Sequence, residues 1–179
     1  MTIVATLIRH PAAPGDAAQG IDVRVRREPT GAVTFHYTLK AEMNRIRVPR
    51  PDVARRTDGL WRHTCFEAFI QVPGSRGYCE LNFSPSGQWA LYGLTGYREG
   101  MTAPDVAEPP AIAVRPFADR LEVDAVVWLP QSLQAIGAKL ALTAVIEDDS
   151  GTLSYWALRH APAQPDFHHP DGFVLELPL

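Results

Sequence analysis

The chain has 179 residues, of which 46% are hydrophobic, and a formal net charge of −3. That length suits one domain, and that apolar fraction matches a packed core rather than a disordered segment. The small negative charge gives no attraction toward nucleic acid or an anionic membrane, and no apolar run reaches the roughly 18 residues that a spanning helix needs.

Taken in order, residues 3–9 and 21–28 read as strands separated by an Ala/Pro/Gly loop. The second alternates Ile21, Val23 and Val25 with Asp22, Arg24 and Arg26, the pattern of a half-buried antiparallel strand. The opening MTIVATLIRHPAAP lacks a basic lead-in and a long apolar stretch. It reads as a first strand rather than an export signal, so a cytoplasmic location is expected. Residues 32–41 form a further strand, with Val33, Phe35, Tyr37 and Leu39 on one face. A short strand at 45–48 precedes the Arg- and Pro-rich loop 49–59, a long connection of the kind that forms a rim or binding loop.

Residues 60–101 read as three strands joined by two turns, Pro-Gly-Ser-Arg at 73–76 and Pro-Ser-Gly at 85–87. Placing the first loop over 73–76 fixes a register. Phe66 then faces Phe83, Ala68 faces Leu81 and Ile70 faces Cys79, so one side is wholly apolar. On the other side Gln71 meets Tyr78, Phe69 meets Glu80, Glu67 meets Asn82 and Cys65 meets Ser84. A slip by one residue would mix the two sets, and patterning opposes it. The second side is an exposed polar-aromatic face, with Trp61 and His63 at its upstream end. Trp89 falls in the core or on the polar face according to the length of the second turn; the core is the expected place. Both cysteines, Cys65 and Cys79, are expected to be reduced. They lie on opposite faces and on the order of 20 Å apart at the usual strand rise, too far for a bridge.

Beyond a Pro-rich crossover, 111–117 and 120–128 form a hairpin and 129–137 a short helix. Strands follow at 139–147, 153–158 and 173–177, with the loop RHAPAQPDFHHPDG before the last. The sum is an all-β chain of about ten or eleven strands, an antiparallel sandwich of jelly-roll type in a single domain over 1–179.

The residues able to carry chemistry are few. Glu67 and Glu80 are mid-strand carboxylates on the face that also bears Asn82. A catalytic pair would make a glycosidase. A non-catalytic site is the better reading, because aromatic bodies stand beside carboxylate and amide groups. A sugar ring needs that combination: its C–H face stacks on a ring plane and its hydroxyls take fixed donors and acceptors. None of the six histidines has metal-binding spacing, and no P-loop, GxGxxG or GxSxG is present.

With these residues in view, LWRHTCFEAFIQV, YCELNFSPSGQWALYGLTGYREGM and the tail YWALRHAPAQPDFHHPDGFVLELPL resemble the DOMON-like superfamily, in the branch related to family 9 carbohydrate-binding modules. The resemblance implies a β-sandwich that binds sugar or haem and does no chemistry of its own. Family 9 modules hold a sugar end between two aromatic rings. By position, Trp61 matches the first ring, Glu67 the carboxylate, Phe167 the second ring and Gln164 the amide. This chain has Phe where the family has Trp. The haem-binding branch uses an axial Met with His or Lys; Met43 and Met101 are present but match no such pair.

The expected function is therefore binding of a small carbohydrate or sugar derivative by Trp61, Glu67, Glu80, Asn82, Gln164 and Phe167. No metal and no resident cofactor are expected. Haem binding and a protein-interaction surface are the alternatives, and oligomeric state is left open.

Overall fold

The structure, a computed structural model, describes residues 2–72, 74–129 and 137–177. Its strands are β1 (Thr2–Arg9), β2 (Ala18–Arg27), β3 (Val33–Ala41), β4 (Cys65–Gln71), β5 (Tyr78–Phe83), β6 (Trp89–Leu94), β7 (Ala111–Pro116), β8 (Arg120–Val127), β9 (Lys139–Glu147), β10 (Leu153–Ala157) and β11 (Leu175–Glu176). They form one antiparallel sheet in the order β6-β5-β4-β9-β10-β1-β2-β3-β8-β7, with β11 added on β9. β1 is where the sheet turns over. Its residues Thr2 to Leu7 pair with β2, while Ile8 and Arg9 pair with Ala157 and Trp156 of β10. A front half (β1, β2, β3, β8, β7) thus packs on a back half (β6, β5, β4, β9, β10).

The two halves meet through the residues whose alternation marked them as inward. Phe35 of β3 lies with its ring centroid 5.8 Å from that of Phe83 on β5, and Tyr37 lies 5.0 Å from Phe66 on β4. The Tyr37 hydroxyl, wholly buried, donates to the Glu67 carbonyl at 2.7 Å and so satisfies a phenol that would be costly to bury alone. Ile21, Val23 and Val25 are fully buried as their spacing requires. The β4–β5 register is the one read from the sequence, from Phe66 opposite Phe83 to Gln71 opposite Tyr78. Trp89 pairs with Phe83 and is 4% exposed, in the main core, with the Arg56 guanidinium over its ring. Cys65 and Cys79 are both free thiols.

Three expectations need correction. Residues 45–48 are not a strand: a 3-10 turn at Met43–Arg45 ends in a lone bridge from Ile46 to Asp148. The last strand shrinks to Leu175–Glu176. The polar-aromatic face is also not open to water. β4 and β9 are buried on both sides, and a second apolar cluster, with Leu60, Cys65, Phe69, Tyr92 and Phe173 among it, covers the outer side of the back half. The unbroken apolar run KLALTAVIE of β9 is what a strand covered on both faces needs. The helix expected over 129–137 falls on 130–136, which lie outside the described residues.

Candidate functional site

Two segments roof the back half. One is the 3-10 turn Leu60–Arg62, preceded by Gly59 at φ 75, a left-handed conformation that glycine adopts without a Cβ clash. The turn buries Leu60 and leaves Trp61 37% exposed, its ring edge-on against Tyr92 of β6 at 5.9 Å. The other is the tail loop after β10, where Phe167 stands edge-on to Tyr155 at 6.0 Å. Tyr92 and Tyr155 belong to the two outer strands of the back half. The two aromatic walls therefore rise from opposite flanks, with β5, β4 and β9 as floor between them.

The tail loop is clamped to the connection after β6. Asp166 accepts hydrogen bonds from the Tyr97 hydroxyl, from the Arg98 guanidinium at 2.8 Å and from the His168 amide at 3.1 Å. Burial works against the Asp166 charge, but the bonds from Tyr97 and Arg98 hold its carboxyl below the ordinary range. Arg98 itself has φ 55, a conformation costing roughly 1–2 kcal/mol for a residue with a Cβ. Its amide donates to the Tyr78 hydroxyl at 3.3 Å, which helps to hold it there.

Between roof and floor lies a cavity of about 550 Å³. Trp61, Glu67, Glu80 and Phe167 all line it, together with Phe69, Arg98, Tyr155 and His168. Two residues expected at the site are elsewhere. Asn82 is on the same face of β5 as Glu80 but fully buried and not part of the cavity lining; its Nδ2 donates to Glu80 Oε1 at 2.8 Å. Gln164 is exposed on the tail loop and does not line the cavity. Neither position follows from strand alternation alone, because packing of the roof decides both.

The floor has an unusual charge balance. Glu67 is 2% exposed and Glu80 5%, on adjacent strands and diagonal to one another. Thr143 Oγ1 of β9 donates to Glu67 Oε2 at 3.1 Å, while Glu67 Oε1 is buried without a hydrogen-bond partner among the described residues. Glu80 Oε2 has His168 Nε2 at 3.8 Å, beyond hydrogen-bond reach. Burial first, and then the neighbouring Glu80, push the Glu67 carboxyl well above its ordinary value. Burial also raises Glu80, against the opposing effects of Asn82 and Arg98. His168 does not neutralise them: burial and the nearby Arg98 press its imidazole down to about 4, so it is uncharged near neutral pH. Its Nδ1 lies 2.7 Å from the Tyr78 hydroxyl.

Sequence reasoning missed Arg98, Tyr155 and His168. Nothing local marked Arg98 or Tyr155, whereas His168 sits next to Phe167 in the tail motif. The adjacent histidines part: His168 lines the cavity, and His169 caps the 3-10 turn Pro170–Gly172 by accepting from the Asp171 amide.

No family model matches the chain, and a search of curated proteins returns no match. Among solved structures it is similar to a candidate carbohydrate-binding protein from Bacteroides uniformis, with a TM-score of 0.63 at 16% identity over 96% of this chain and 84% of that one. A family 9 carbohydrate-binding module from Caldicellulosiruptor kristjanssonii in complex with glucose gives a TM-score of 0.48 at 12% identity, over 85% of this chain and 72% of the module. The same type of module with cellotriose gives 0.49 at 12% identity, over 85% and 70%. At such identities the first likeness is one of fold, so the chain shares its antiparallel all-β architecture with the Bacteroides protein.

Proposed function

We propose that the chain is a non-catalytic binding protein whose cavity takes a small carbohydrate. The observation that carries this reading is the cavity itself. It has a volume in the ordinary range for small-molecule sites, aromatic walls at Trp61 and Phe167, and two buried carboxyls in the floor. The rings offer stacking surface for the C–H face of a sugar, and the carboxyl oxygens offer partners for its hydroxyls. The fold shared with a candidate carbohydrate-binding protein is consistent with it.

The placement of the acids supports binding without turnover. A glycosidase sets an acid and a base on opposite sides of the scissile bond. Glu67 and Glu80 lie side by side in one floor, so both press on the same side of a ligand. Haem suits these residues poorly. Both nitrogens of His168 face polar groups, Tyr78 and Glu80, and Met101, also on the rim, is 60% exposed.

Titration with mono- and disaccharides, followed by tryptophan fluorescence and calorimetry, tests the reading. Saturable binding to at least one sugar is expected, and Trp61→Ala should weaken it by about tenfold or more. If no sugar in the panel gives a saturable signal, or if chromogenic glycosides are turned over, the reading fails.

A further inference from the structure

Among the described residues no cationic side chain pairs directly with either acid of the floor, and Arg98 reaches Glu80 only through space. Each carboxyl receives one protein hydrogen bond on one oxygen, from Thr143 for Glu67 and from Asn82 for Glu80. The second oxygen of each, Glu67 Oε1 and Glu80 Oε2, has no hydrogen-bond donor among the described residues. The charged and titratable groups around them do not fill this gap. Arg98 is committed to Asp166. The Arg62 guanidinium on the rim makes no ion pair among the described residues and is exposed to water. His168 stops at 3.8 Å and is uncharged near neutral pH. The buried Cys65 thiol and Tyr37 phenol are pushed upward by burial first and then by Glu67, so they add no positive charge.

Two unpartnered acceptor oxygens, buried carboxyls without a direct ion pair to Lys or Arg among the described residues and walls of aromatic rings together suit a complementary group. It must bring several donors and a positive charge, which is the description of an ammonium. A vicinal diol would supply donors but no positive charge to favour the ionised form of the carboxyls. The rings at Trp61, Phe69, Tyr155 and Phe167 add favourable cation–π surface.

Resting on the carbohydrate reading above, we infer that the ligand carries a protonated amine, as an amino sugar does, seated against the unpartnered oxygens of Glu67 and Glu80. Burial and the neighbouring Glu80 raise the Glu67 carboxyl in the empty site, and a positive charge seated beside it lowers it again. Binding therefore releases a proton, and affinity rises with pH until the ligand amine itself deprotonates. A neutral sugar that used the Glu67 proton as a donor would show the opposite trend.

Calorimetry with glucosamine, glucose and N-acetylglucosamine separates these cases, run in two buffers of different ionisation enthalpy and across pH 5.5 to 7.5. Glucosamine is expected to bind about tenfold to a hundredfold tighter than the two neutral sugars, in line with hydrogen bonds to charged groups. Proton release should accompany it, and Glu67→Gln should abolish the preference. A thermal melt of that variant establishes that it is folded. Equal or tighter glucose binding, affinity for glucosamine that falls with rising pH, or a preference kept in Glu67→Gln overturns the amine assignment and leaves carbohydrate binding intact. Absence of binding by all three sugars and by the wider panel overturns both.

Discussion

The outer faces of the two halves both carry acidic side chains, and the pair beside the cavity is treated in the opposite way to those of the front half. On the front half each acid meets a base across a strand pair. Asp22 of β2 meets Lys40 of β3 at 2.9 Å, and Glu122 of β8 meets Arg120 at 2.9 Å and Arg115 at 3.2 Å. Asp124 meets His36 at 2.5 Å and Arg115 at 2.6 Å. The Lys40 and Arg120 partners hold Asp22 and Glu122 below their ordinary ranges. Burial opposes the Asp124 charge, but His36 and Arg115 overcome it. On the back half Glu67 and Glu80 lie under a roof and make no ion pair with Lys or Arg among the described residues, and burial pushes both upward. A matched face is a solvated surface whose charges need nothing further. An unmatched, covered pair is costly to the fold, and under the proposed function its place beside the cavity is where stability would be exchanged for binding.

The largest expected effect tests whether the two faces belong to one cooperative unit. Phe66→Ala removes the ring that packs on Tyr37 between the halves and should destabilise by about 3–5 kcal/mol. Urea unfolding followed by fluorescence and circular dichroism should still show one coincident transition. Two separated transitions would mean that the halves fold independently and that the comparison joins unrelated parts.

Next comes the unmatched pair. The Glu67 carboxyl is raised in the folded state, so the folded protein binds more protons than the unfolded chain above pH 4.5, and stability falls as pH increases from there. Glu67→Gln removes that cost and should stabilise by about 0.5–2 kcal/mol near pH 8, with the gain shrinking toward pH 4.5. Thermal melts at the two pH values decide it. A variant less stable than the parent near pH 8 would show Glu67 to be a structural acid after all.

The smallest effect belongs to the front face. Asp124→Asn should cost about 0.5–1 kcal/mol at neutral pH, because the lost partners are partly exposed. The sign reverses relative to Glu67. A lowered carboxyl contributes stability above its unfolded value of 3.8 and loses it as pH falls through the folded value, so parent and variant should converge in acid. A difference that persists at pH 2 would assign the effect to packing rather than charge.

Much of this was already legible in the residues. Alternation fixed the β4–β5 register pair by pair, because one slip would have sent Phe66, Ala68 and Ile70 to the wrong face. The same logic placed Ile21, Val23 and Val25 in the core. Trp61 and Phe167 were picked out by chemistry and resemblance, and both line the cavity. Alternation tells which way a side chain points and is silent about what lies above it. Glu67 and Glu80 pointed away from the core as expected, but the roof that buries them comes from segments at 60–62 and 159–174, far from β5 in the chain. Whether Asn82 and Gln164 reached the cavity, and whether Arg98 found Asp166, depended on that same closure. Local periodicity determined the strands and their faces. The environment of the acids arose only when distant loops closed over them, because burial and counter-charge are properties of neighbours that the sequence brings together only in three dimensions.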